Sequence, residues 1–270
     1  MPTLPDFEAL ARLVPSPSYE LPPAILSARQ HIPPNKLEDT RARLVEWSRA
    51  SLDQTPRQAY AFARIAAELG RTHAEAEFAL LRALNRLGEF RAVVSHAPST
   101  VVQFAASGDI EGAASAWCES AWAYTFIGDL QPALDAIAHA RAATSSSLIH
   151  ARCDWVHARI LRDQSHYADA LARLEQARER FQADQMHVEV LRCEREIAHT
   201  RILGERGAVL DPLANLRQSF LNEGCALDAA LCDYFSAYAL AEANRYAESL
   251  NVLTRARQVF AESSADFFAA

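Results

Sequence analysis

His150, Cys153, Asp154 and His157 form the densest group of potential ligands and nucleophiles in this 270-residue chain. Spacings of three and four put His150, Cys153 and His157 on one face of a helix. Such a face could offer imidazole and thiolate to a metal ion, or set a histidine base beside a cysteine nucleophile. Either use needs groups converging from several directions, and neighbours on one helix supply only part of a site. Cys153 therefore reads as a small buried hydrophobe, with His157 beside Ala158 at a helix seam. The acid pairs Glu194 with Glu196 and Glu175 with Glu179 lie among arginines. Ion pairs three and four residues apart on helix surfaces account for them, and no shared cleft for glycosidase-type chemistry is implied. No His-Glu-x-x-His, Cys-x-x-Cys or Gly-rich phosphate loop occurs, and Gly204 to Gly207 is too short and lacks a following lysine. These residues point away from an enzyme and imply no metal or other cofactor.

Composition narrows the remaining classes. Half the residues are apolar and glycine occurs only eight times. Alanine makes up about a fifth of the chain, above ordinary usage. Ala is the best helix former and Gly among the worst, so close-packed helices are expected. The net charge is −7, and of the 27 basic residues only Lys36 is a lysine. The arginines are interspersed with carboxylates, whereas nucleic-acid binding needs a concentrated positive patch. No run of eighteen apolar residues occurs, so no membrane span is expected. The first residues lack the basic start and apolar core of a signal peptide. Cys118, Cys153, Cys193, Cys225 and Cys232 form an odd set suited to free buried thiols in a reducing cytoplasm.

The elements that would position a site recur. Gly88-Glu89-Phe90, Gly128-Asp129-Leu130-Gln131-Pro132-Ala133, His166-Tyr167-Ala168-Asp169-Ala170 and Arg245-Tyr246-Ala247-Glu248-Ser249 each end one helical segment and open the next. A period near forty residues means stacked helical hairpins. Residues 1–35, with eight of the twelve prolines, read as an extended N-terminal arm with one short helix from Phe7 to Leu13. Residues 36–270 read as about six hairpins. Leu37 to Leu52 pairs with a helix that opens at Thr55-Pro56 and stops at Gly70. Then come 73–87 with 90–106, 110–127 with 130–146, 149–164 with 167–183, 187–203 with 211–222, and 226–243 with 246–262. Ser264 to Ala270 read as the first turn of a further helix, and Phe267 and Phe268 would leave an apolar end open. Self-association or docking of another domain is expected at that end.

Trp117, Ala121, Tyr124, Gly128, Leu130, Ala133, Ile137 and Ala140 match the tetratricopeptide repeat (TPR) pattern position by position. Ala158, Leu161, Tyr167, Ala170, Leu174 and Ala177 make a fair copy, as do Ala237, Leu240, Tyr246, Ser249, Leu253 and Ala256. Leu81, Leu84, Gly88, Phe90 and Val93 make a partial one, and 187–222 a poor one around Ala198. Residues 73–262 thus resemble the TPR family, with a spacing three to six residues longer than the strict unit. The resemblance implies an all-α fold, a right-handed superhelical solenoid of antiparallel helix hairpins, with Trp117 in the core. Ala- and Arg-rich arrays of this kind are similar to N-terminal parts of large bacterial proteins that carry a caspase-like CHAT-type peptidase domain or a nucleotide-dependent regulator.

In this architecture the first helix of each hairpin lines the concave face. Counting from the small residue of each copy, one position there holds Phe78, Cys118, Trp155, Arg195 and Tyr234. The next holds Arg82, Trp122, Arg159, His199 and Tyr238, and a turn further lie Arg86, Phe126, Arg162 and Glu242. Aromatic rings and arginine forks dominate binding energy at interfaces and suit apolar and acidic partners. The expected function is a non-catalytic scaffold that binds a peptide or protein in this groove. The alternative is a regulatory arm of a larger protein or complex. Repeats that clamp a chain-end carboxylate use Lys and Asn at these positions. With no lysine beyond Lys36, chaperone-tail recognition is not expected.

Overall fold

The computed structural model describes residues 5–14, 23–70, 73–205 and 210–263. Pro15, Pro17, Pro22, Arg206, Gly207 and the expected terminal turn with Phe267 and Phe268 lie outside them. The helices are α1 (Phe7–Leu13), α2 (Pro23–His31), α3 (Leu37–Ser51), α4 (Pro56–Leu69), α5 (Ala74–Leu87), α6 (Phe90–Ser107) and α7 (Ile110–Ile127). They continue with α8 (Leu130–Ala143), α9 (Ser147–Asp163), α10 (Tyr167–Ala183), α11 (His187–Glu205), α12 (Leu210–Asn222), α13 (Ala226–Glu242) and α14 (Tyr246–Glu262). A 3₁₀ turn at Pro34–Lys36 leads into α3. No strand occurs among the described residues, so the protein is all-α.

Helix α1 forms as expected, closed at its start by the Asp6 carboxylate accepting from the Glu8 and Ala9 amides. Helix α2 was not expected, because the prolines around it read as breakers. Pro23 is its first residue, where a missing N–H leaves nothing unsatisfied. Phe7, Ala11, Ile25 and Ile32 are buried in the same core as α3 to α6, with α1 and α2 both against α4. Helix α6 runs through Pro98, losing one backbone hydrogen bond.

From α3 onward each helix packs on its neighbours in sequence, and α3 also touches α5, α5 touches α7, α7 touches α9, and α11 touches α13. Seven of the turns share one device. Gly88, Gly108, Gly128, Ser165, Gln185, Gly224 and Asn244 all have positive φ. A single left-handed residue after the helix redirects the chain and lets the next amide bond back into the last turn. Where Gly is replaced by Ser, Gln or Asn the same geometry persists, which is why the sequence motif fades while the turns do not.

Small residues set the helix spacing. Ala121, Ala158, Ala198 and Ala237 in the first helices are buried, as are Ala133, Ala170 and Ser249 opposite in the second helices. The Ser249 hydroxyl donates to the Ala237 carbonyl at 2.7 Å. Phe104, Phe181, Phe220 and Phe260 are also buried. Each stands 22 or 23 residues after Leu81, Ala158, Ala198 and Ala237 respectively, a recurring core position that the sequence reading had not singled out.

Trp117 is half-buried rather than sealed in, stacked on His139 with ring centroids 5.1 Å apart. The equivalent positions, four before the small residue, hold Asp154 and Asp233, both buried. Asp154 accepts from Arg141, Arg173 and Arg180. Asp233 accepts from Arg217 at 3.0 Å and from Arg255 at 2.8 and 2.5 Å. A carboxylate gathering arginines from the flanking second helices thus replaces an aromatic ring.

The arginines around Asp154 are about a third exposed. If the carboxylate is removed they can turn to water. Asp154→Ala is therefore expected to cost about 1.5–3 kcal/mol, the range for hydrogen bonds to charged groups, measured by urea denaturation.

Candidate binding cavity

The first helices α5, α7, α9, α11 and α13 turn one face toward a cavity of about 560 Å³. Arg82, Arg86, Cys118, Trp122, Phe126, Trp155, Arg159, Arg162, Arg195, His199 and Tyr234 all line it. Counting from the small residue therefore brought together nine of the eleven expected partner-binding residues, with Cys118 and Arg86 beside them. The other two are not in the lining. Phe78 is partly buried in the main core, edge-on to Phe104 at 5.9 Å. Tyr238 is exposed, as is Glu242 at the far end of α13.

One wall is aromatic. The Trp122 and Trp155 rings lie 5.0 Å apart, Phe126 stands edge-on to Trp122 at 5.1 Å, and Phe90 stacks behind Phe126 at 4.2 Å. The Arg159 guanidinium sits 3.8 Å from the Phe126 ring centre and 5.5 Å from that of Trp122, within cation–π range. Opposite, His199 stacks on Phe235 at 3.8 Å.

The other wall is a network of ion pairs. Asp228 on α13 is fully buried and accepts from Arg192 at 3.2 and 2.9 Å, Arg195 at 2.5 Å and Arg86 at 2.8 Å. Asp53, in the turn between α3 and α4, accepts from Arg192 at 2.6 Å and lies 3.2 Å from Arg86. Glu196 joins Arg195 at 3.0 Å to Arg162 at 2.5 Å. The expectation that Glu196 forms a surface pair with helical neighbours is corrected here. It is buried, and Arg162 lies 34 residues away. Glu175 does pair locally, with Arg178 at 2.6 Å.

Burial alone would raise the Asp228 pKa, but Arg192, Arg86 and Arg195 outweigh it and hold the carboxyl well below its ordinary value. Burial would likewise favour neutral Glu196, yet Arg162 and Arg195 keep it ionised. Arg159 is the opposite case. Burial, reinforced by Arg162, lowers it to about 10, because its nearest carboxylate, Asp163, stays 4.0 Å away. Burial and Arg162 also lower His199 to about 3, so its ring is neutral at pH 7.

The His150 group does not converge. His150 Nε2 lies 2.9 Å from the Thr144 carbonyl, the Cys153 thiol is 3.7 Å from that of Cys118, and Asp154 is held by arginines. Among the described residues no group of three or more His, Cys, Asp or Glu could hold a metal ion. All five cysteines are free and buried. No helix of the described residues is long and apolar enough to cross a membrane.

Asp53, Asp228, Glu189 and Arg192 were not expected at the site. Asp228 and Glu189 share a signal, each standing nine residues before the small residue of its copy. Asp53 has none, since it reaches the cavity only because the first turn meets α11 and α13.

Two outcomes follow. Asp228→Ala leaves Arg192 and Arg195, which are under a tenth exposed, with only Asp53 and Glu196 as close carboxylates, so it should cost about 3–5 kcal/mol in urea denaturation. That exceeds the cost at Asp154. Between pH 6.5 and the folded value of His199, the unfolded chain takes up a proton at this position and the folded chain does not. Stability therefore falls as pH drops below about 6.5, by at most about 2 kcal/mol down to pH 5 from this residue. His199→Phe, which can keep the stack on Phe235, should flatten that part of the pH–stability profile. No protein-family model matches the chain, and no curated protein sequence matches it.

Proposed function

We propose that this chain is a TPR-like array, a right-handed superhelical solenoid of antiparallel hairpins, whose concave face binds a peptide or a segment of a partner protein. The main support is the convergence of Trp122, Phe126, Trp155, Arg159 and His199 from three separate helices on one cavity. Rings and arginines so placed offer apolar contact and a fork for carboxylates, the chemistry of binding hot spots. The free thiols fit a reducing compartment such as the cytoplasm.

A second reading, docking of another domain or copy at the C-terminal end, draws on one observation. Tyr246, Leu250 and Leu253 lie along one face of α14 and are exposed, an apolar stripe at helical spacing. The two readings separate by where substitutions act. Alanine at Trp122, Trp155 or Arg159 should weaken a captured partner by about 1–3 kcal/mol each in calorimetry, with the far-ultraviolet helix signal unchanged. If those three leave binding intact while Leu250→Asp abolishes it, the groove is not the binding face and the end of the array is.

A further inference from the structure

The cavity's charges do not balance. Seven arginines (Arg82, Arg86, Arg152, Arg159, Arg162, Arg192 and Arg195) and six carboxylates line it, inside a protein whose net charge is −7. Three of the arginines are weakly paired, and one of them, Arg159, sits at the aromatic wall. Arg86, Arg162, Arg192 and Arg195 each have a carboxylate at 3.0 Å or closer. Arg82 comes no nearer than 3.9 Å to Glu119, and Arg159 no nearer than 4.0 Å to Asp163. Arg152 has no ion pair among the described residues.

The cavity also holds unused hydrogen-bonding capacity, at Arg86 Nε and Asn85 Oδ1 and at the aromatic wall. Arg159 Nε and Trp155 Nε1, one helical turn apart on α9, have no hydrogen-bond partner, and neither does Nδ1 of His199 across the cavity. The first two are donors only. Buried donors left unpaired are rare in native structures and call for an acceptor. The Arg159 guanidinium lies against Phe126 and Trp122, so one face is covered while its edge remains for a ligand.

Size and charge limit the occupant. The volume of about 560 Å³ falls within the range of small-molecule sites. A nucleotide or other multiply charged anion would bring more negative charge than the single surplus cation offsets, and would face six carboxylates. A monoanion with an apolar body satisfies both walls. The geometry points to a small-molecule site for a monocarboxylic acid, its carboxylate on the Arg159 edge and the Trp155 indole N–H, its hydrocarbon body against Trp122 and Trp155. This goes beyond a protein-binding groove. It shares with that reading only the premise that the cavity is a binding face.

Indole-3-acetate and 4-phenylbutyrate serve as aromatic probes, decanoate as the alkyl one, and indole-3-acetamide and 4-phenylbutyramide as uncharged isosteres. Binding to the full chain is measured by calorimetry, with intrinsic tryptophan fluorescence as a check for the probes that carry no indole. At least one acid is expected to bind saturably at one site per chain, at least ten-fold more tightly than its amide. The aromatic and alkyl arms show which body the wall prefers. Arg159→Met should remove the preference for acid over amide. Arg178→Met, altering a surface pair on α10, should leave it unchanged, which controls for general loss of fold. Trp155→Phe, retaining a ring but no N–H donor, should weaken the acid about three- to ten-fold.

Equal binding of acid and amide, or an acid preference that survives Arg159→Met, overturns the carboxylate assignment. No saturable binding of any acid by folded protein overturns the small-molecule site. If the probes fail while a captured peptide still requires Trp122 and Trp155, the small-acid proposal falls and the scaffold function stands.

Discussion

A carboxylate with almost no access to water cannot stay charged unless cations replace the water. Asp228 meets that condition with three arginines, Arg86 from α5 and Arg192 and Arg195 from α11. Desolvating one acid and three bases is expensive, and the attraction offsets it only with good geometry and every lone pair used. Here both oxygens accept two bonds each. The requirement then propagates outward. Arg192 and Arg86 carry positive charge beyond what Asp228 neutralises, and Asp53 supplies the difference. Arg195 is completed by Glu196, and Glu196 by Arg162. One buried charge thus fixes where α5, α9, α11, α13 and the α3–α4 turn must lie.

The same constraint accounts for the composition. A guanidinium has five donors in a planar fork and can serve two acids at once, whereas an ammonium is a compact, strongly hydrated point charge. Arg86 and Arg192 each bridge Asp53 and Asp228, and arginines crowd around Asp154 and Asp233. A chain that builds its seams this way has little use for lysine, and Lys36, the only one, lies in the 3₁₀ turn ahead of α3.

Local periodicity made the helices legible. The ten helices from α5 to α14 match the sequence boundaries to within about three residues, because turn residues and apolar spacing act over a few positions. The cavity-lining positions were legible for the same reason, since a fixed count from a small residue gives a fixed direction on the helix. Phe78 failed although Arg82 and Arg86, counted from the same Leu81, line the cavity, because its ring packs into the core against Phe104. Helix α2 was missed because proline at a first helical position looks like proline in an extended arm. Glu196 was misread because an acid beside an arginine has the same local pattern whether it faces water or a distant helix. Nothing near Asp53 in sequence points to Arg192, 139 residues away.

Stacked helix pairs that touch only their neighbours come apart from the ends, one unit fraying before the next. This chain has links that skip the stack, from residue 53 to 192 and from 86 to 228. They tie the first turn to the last two first helices, so loosening either end disturbs the other. Its melting is consequently expected to be more cooperative from α3 to α13 than the linear order of those helices implies.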